Sequence, residues 1–130
     1  MLKFVILFLC FQVGFPEAPL KDRLDIAVRA KKPILTIFSA PWCQPCQVMK
    51  NVVIEPLRAS GQLDSVSTIY VDVDKEKDFT KKHIGENFII PTILLFFNEN
   101  GKWLKYELNG YRSQEEILRV IELPRLRNQK

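Results

Sequence analysis

One histidine, three cysteines and no long run of like charge define what this 130-residue chain does without. With His83 as its only imidazole, far from any cysteine pair, the chain has too few nitrogen ligands to complete a zinc or copper site, so no metal centre is expected. The net charge is only +4, and cations alternate with acids, as in Lys75-Glu76-Lys77-Asp78, leaving no basic stripe to follow a nucleic-acid backbone. The densest basic cluster, Arg125 to Lys130, reads as a solvated terminus. Internal repeats and low-complexity segments are also lacking. What remains is 47% apolar and 26% charged, the balance of a single globular domain with its own core.

The amino terminus departs from that balance. After Lys3, Phe4 to Phe15 is apolar except for Gln12, and Pro16 and Glu17 end the run. As a helix it covers about 18 Å, short of the roughly 30 Å of a bilayer core, so it reads as an export signal instead of a spanning helix. Residues 1–18 are therefore expected to be a signal peptide or short membrane tether, and 19–130 the folded domain. Ala18 is a poor cleavage point between Pro16 and Pro19, which keeps the tether reading open. Cys10 follows Leu7-Phe8-Leu9 where a lipidation signal needs small residues. An exported, periplasmic or secreted location follows, and setting Cys10 aside with the signal leaves one local dithiol, Cys43 and Cys46.

Along the remaining chain, Leu20, Leu24, Ala27 and Val28 share one helical face, and Pro33 stops that helix. Ile34 to Phe38 is a short apolar run of the kind buried on both sides of a sheet. Gln47 to Arg58 reads as helical with a break or restart at Pro56, and Val66 to Val73 as a strand ending in Asp72 and Asp74, two solvated turn carboxylates. Lys75 to His83 reads as a short polar helix or turn with His83 facing solvent at its end. Ile89 to Phe97 is an apolar strand containing Pro91, and Asn98 to Gly101 turns it into a partner from Lys102 to Leu108. Ser113 and Glu116 form a capping box that opens a last helix running to about Ile121, with Pro124 just beyond. Helix-linked strands followed by a hairpin predict an α/β fold with a mixed central sheet and helices on both faces.

A cysteine pair two residues apart, directly after a buried strand and at a helix start, points to redox chemistry. A ring this short adds little entropic stability, whereas a helix amino terminus stabilises a thiolate. Cys43 is thus the expected nucleophile, and Cys46, one turn on, the resolving thiol. Pro45 is tolerated at the helix start because its missing N–H would have had no partner there.

Ala40-Pro41-Trp42-Cys43-Gln44-Pro45-Cys46 resembles the active-site loop of thioredoxins, over a match spanning residues 20–121. Ile90-Pro91-Thr92 is similar to the cis-proline segment of that family, and Gly110 to the glycine completing its substrate groove. The resemblance implies a thioredoxin fold, no cofactor beyond the redox-active disulfide, protein disulfides as substrates, and an apolar rim of Trp42, Ile90, Pro91 and Gly110. It also implies a membrane or soluble thiol electron donor; a monomer is expected. Two departures stand out. Thioredoxins usually bury an aspartate six residues before the nucleophile, where this chain has Ile37, and they accompany it with a lysine that the Val66–Val73 strand lacks; Glu55 is a candidate proton acceptor in their place. The stretch from Met49 to Leu63 is more similar to exported thioredoxin-like reductases, including the terminal domain of membrane thiol transporters. Gln44 and Pro45 carry no charge, and the histidine that strong oxidants of the superfamily place between the cysteines is missing, which favours a reductase. An oxidase or isomerase, a non-catalytic binding module and a metal-handling module are the alternatives.

Overall fold

A computed structural model describes residues 17–129; the apolar run from Phe4 to Phe15 and Cys10 lie outside the described residues. Helix α1 (Leu20–Arg29) leads to β1 (Ile34–Ser39), then a continuous helical stretch of α2 (Gln44–Val48), a π-helical segment (Met49–Ile54) and α3 (Glu55–Ala59). There follow β2 (Ser67–Asp72), α4 (Lys77–Ile84), the hairpin β3 (Thr92–Glu99) and β4 (Lys102–Asn109), then α5 (Gln114–Ile121) and α6 (Leu123–Arg127). The strands form one sheet in the order β2-β1-β3-β4. β1 pairs parallel with β2 and antiparallel with β3, so the expected mixed sheet is borne out.

Strand alternation divides the core into two layers. Leu35 and Ile37 of β1 point to one face, where Met49, Val53 and Leu57 of the long helical stretch and Ile117 and Ile121 of α5 cover them. Ile34 and Phe38 point to the other face, packed with Leu20 and Ala27 of α1, Phe79 and Ile84 of α4, and both Cys43 and Cys46. With cover on each side, Ile34 through Phe38 are all buried, which explains a near-continuous apolar run at these positions.

Several local expectations are corrected. The helix break falls before Pro56, where the Glu55 N–H reaches back five residues to the Lys50 carbonyl. Pro56 has no N–H to offer the Val52 carbonyl, and that carbonyl instead accepts the Gln114 side-chain amide of α5 at 3.0 Å. Pro91 lies outside a strand: β3 opens at Thr92, one residue later, and the Ile90–Pro91 peptide bond is cis. Pro124 starts α6 instead of closing the chain's helices, and within the basic tail Arg127 bonds Glu99 at 2.8 Å and lies over the Phe97 ring. Val28, placed on the buried face of α1 by spacing, is 48% exposed, one residue before the helix ends at Arg29.

His83 is only partly open to solvent. Its ring lies tilted 4.3 Å from Phe79 and edge-on 5.3 Å from Phe96, centroid to centroid, and burial, aided by Lys82 and Lys105, holds its pKa below the usual value. An imidazole that protonates more readily unfolded than folded lends stability above its unfolded pKa of about 6.5, lost as pH falls below it. Urea titrations should therefore show stability falling as pH drops below about 6.5, and His83→Phe, which keeps a ring without the charge, should flatten that slope; an unchanged slope would refute the assignment. Leu95, fully buried on β3, should cost between about 2 and 5 kcal/mol as Leu95→Ala, read from the shift in urea midpoint.

Candidate active site

β1 ends at Ser39, and the chain must turn at the carboxyl edge of the sheet before the next helix begins. Three bonds shape that turn. The Cys43 N–H donates to the Ala40 carbonyl at 3.1 Å, and the Gln47 side-chain amide donates to the same oxygen at 3.0 Å. Cys43 is the residue that caps α2, its sulfur 3.3 Å from the Cys46 backbone N–H. The two cysteines are joined as a disulfide, with Cα atoms 5.3 Å apart. Both are nearly buried, at 5% and 2% exposure, while Trp42 beside them is 70% exposed.

The cis Ile90–Pro91 bond brings a second loop against this turn, with the Ile90 carbonyl oxygen 3.9 Å from the Cys43 sulfur. Two bonds brace that loop. Thr92 donates its hydroxyl to the Ile89 carbonyl at 2.7 Å, and the Gly110 N–H donates to the Pro91 carbonyl at 2.8 Å. Gly110 holds φ at +84°, a conformation that side chains disfavour, although a Cβ there would meet no atom within 4 Å. Backbone shape, not crowding, therefore selects glycine at this position. Trp42, Ile90, Pro91 and Gly110 are thus brought to one end of the sheet around the disulfide, and Gln44 and Pro45 stand exposed on the first turn of α2.

Two side chains that the sequence did not assign to the site help to build it. Asp74 accepts the Trp42 indole N–H at 2.7 Å, and Asp72 accepts the Asp74 and Lys75 N–H groups, holding Asp74 in place. The available signal was topological: Ser39 pairs with Asp72 across parallel strands, so the ends of β1 and β2 lie at the same edge. Gln47 is the other, through its bond to Ala40.

Ile37 is buried in the opposite layer from the cysteines, among apolar neighbours. Glu55 accepts bonds from the Tyr70 hydroxyl at 2.7 Å and from Arg58 at 3.0 Å. The Tyr70 bond, with Arg58 and Lys50, draws its pKa below the usual carboxylate value, while burial and Glu55 raise that of Tyr70. An acid favoured in its ionised form is a weak base for a thiol proton, so Glu55 serves Tyr70 instead. Among the described residues there is no group of three or more His, Cys, Asp or Glu side chains arranged to hold a metal ion.

A disulfide at a helix start, facing a cis-proline loop on a mixed sheet, defines a thiol-disulfide oxidoreductase of thioredoxin architecture. The thioredoxin family model matches residues 19–123, and the chain belongs to that family. A thioredoxin from Alicyclobacillus acidocaldarius is 33% identical over 91 residues, covering 70% of this chain and 80% of that protein. The thiol:disulfide interchange protein DsbD of Campylobacter jejuni is 33% identical over 92 residues, 70% of this chain but only 16% of that protein's length. Among solved structures, thioredoxin from Trichomonas vaginalis superposes with a TM-score of 0.64 at 26% identity, covering 82% of this chain and 92% of that one. Thioredoxin from Thermus thermophilus reaches 0.66 at 21% identity, covering 81% and 82%, a likeness of fold.

Removing the indole's acceptor tests the role of Asp74. In Asp74→Ala, hydrogen exchange of the Trp42 indole N–H should accelerate several-fold, about the 1 kcal/mol that one such bond contributes, while Asp74→Asn retains most of the protection. Equal exchange in all three proteins would show that the bond does not hold the ring.

Proposed function

We propose that this protein reduces protein disulfides outside the cytoplasm, with Cys43 as nucleophile and Cys46 as resolving thiol. The observation that carries the proposal is the position of the Cys43 sulfur at the amino terminus of α2, beside the Ile90 carbonyl. In the dithiol form, the free N–H groups and dipole of the helix end stabilise a Cys43 thiolate. That thiolate attacks one sulfur of a substrate disulfide, and the other leaves as a thiolate. Cys46 then loses its proton and attacks the Cys43 sulfur, releasing the second substrate thiol and leaving the Cys43–Cys46 disulfide. The substrate gains two electrons and the protein loses two, so a thiol donor, membrane-bound or soluble, must return them.

Trp42, Ile90, Pro91 and Gly110 form the rim on which an extended substrate segment lies, with the Ile90 backbone available to pair with it. The reducing direction is supported by the uncharged Gln44 and Pro45, which add nothing beyond the helix end to stabilise the thiolate. Export is supported by the apolar run from Phe4 to Phe15, and the match to a segment of DsbD agrees with a role in thiol exchange.

Cys46→Ala should accumulate mixed disulfides with its substrates that a small dithiol dissolves, and Cys43→Ser should form none. The equilibrium potential of the pair should lie below about −200 mV, among thioredoxins and glutaredoxins. A value near the roughly −120 mV of the strongest oxidants would overturn the reducing direction, and adducts forming on Cys46 instead would overturn the assignment of roles.

A further inference from the structure

The pole of the domain opposite the disulfide carries a feature that thiol exchange does not use. β1 begins at Ile34 beside it and ends at Ser39 beside the disulfide loop, about 17 Å away at the rise of a strand. There the end of α1, the β3–β4 hairpin and α6 surround a cleft of about 610 Å³, within the size range of small-molecule sites. Its charged lining is wholly cationic, Lys31, Lys32 and Arg125, while Phe97, Val28 and Trp103 supply apolar wall. Val28 and Trp103 are also shared with a second recess of about 210 Å³, which runs along the sheet between Phe79, His83 and Phe96.

The two compartments differ in chemistry. The first offers positive charge at its mouth: Lys32 is turned to the Asp64 carbonyl at 2.9 Å, and Arg125 lies 3.8 Å from Glu122 in a loose, exposed pair. The Lys31 ammonium has neither a hydrogen bond nor an ion pair among the described residues, and the backbone there sits at φ +56°, a left-handed conformation unfavourable for a lysine. The second recess is apolar except for the His83 ring, whose pKa burial lowers. Val28 and Trp103, 48% and 44% exposed, line both.

We propose that this pole binds a single-chain anionic amphiphile, its carboxylate or phosphate between Lys31 and Arg125 and its hydrocarbon tail past Val28 and Trp103 into the apolar recess. Charge complementarity selects the head, since no acidic side chain lines the cleft, and the apolar walls the two recesses share select the tail. The inference stands apart from the direction of electron flow and from the location of the protein.

The Trp103 indole N–H resonance provides the test, with Trp42 as an internal control at the other pole. Titrating the full chain with dodecanoate below its micellar threshold should move the Trp103 signal saturably, at one ligand per chain, and leave Trp42 in place. The double variant Lys31→Glu, Arg125→Glu should weaken that binding at least tenfold, and Val28→Asp should do the same through the tail, both with unchanged disulfide reduction. Butyrate, with the head but not the tail, and dodecyltrimethylammonium, with the tail but the opposite charge, should each bind at least tenfold more weakly. Binding undiminished in these variants, or equal affinity for the cationic amphiphile, would overturn the proposal. So would two other results: a Trp103 signal that moves with protein concentration alone, which assigns the face to a second copy, or one that responds only to anionic phospholipid vesicles, which assigns it to a membrane surface.

Discussion

Burial of β1 on both faces is the constraint from which the other features follow. A strand covered by α1 and α4 on one side and by the long helical stretch and α5 on the other has no free surface except at its ends. Reactive groups can then stand only where the strand stops, and the chain places its dithiol at the first turn beyond Ser39. The same burial keeps Cys43 and Cys46 in the apolar layer with Phe38 and Ala40, so that reactivity depends on the helix end and the adjoining cis-proline loop. Trp42 stays exposed beside them, tied to Asp74.

The helix that carries the dithiol is held at its other end by an adjustment to a single residue. Pro56 has no N–H with which to continue the α-helical ladder, and a π-helical segment absorbs the mismatch. The carbonyl left over at Val52 is satisfied from α5 through Gln114, linking the two helices that cover one face of the sheet. Met49 and Val53, within the π segment, remain fully in the core, so the altered winding redirects the helix without exposing it.

Replacement of the usual buried acid by Ile37 changes how a thiol proton can leave. Glu55 is engaged by Tyr70 and Arg58, with Lys50 over the Tyr70 ring at 4.8 Å, forming a polar cluster of its own against the sheet. Cys46 is enclosed by apolar side chains, and its backbone N–H lies 3.3 Å from the Cys43 sulfur.

Much of this was legible in the chain itself. The order of elements, the buried character of Ile34 to Phe38, the dithiol at a helix start and the Ser113–Glu116 capping box all depend on local pattern, which a periodicity or a short-range bond determines. The cis bond before Pro91 and the place of Gly110 beside the groove followed from resemblance, and the structure joins the two residues by one hydrogen bond. Other features came only with the fold. Asp74 reads as a turn carboxylate until parallel pairing sets β2 beside β1, and His83 reads as a polar helix end until Phe79 and Phe96 close on it. Val28 and the basic tail similarly acquire their roles from elements distant in sequence. Spacing along the chain thus determined which residues are capable of the chemistry, because capping, periodicity and thiol proximity act within a turn or two. Partners of those residues were decided by sheet order and layer packing, since these bring together groups whose separation in sequence carries no local signal.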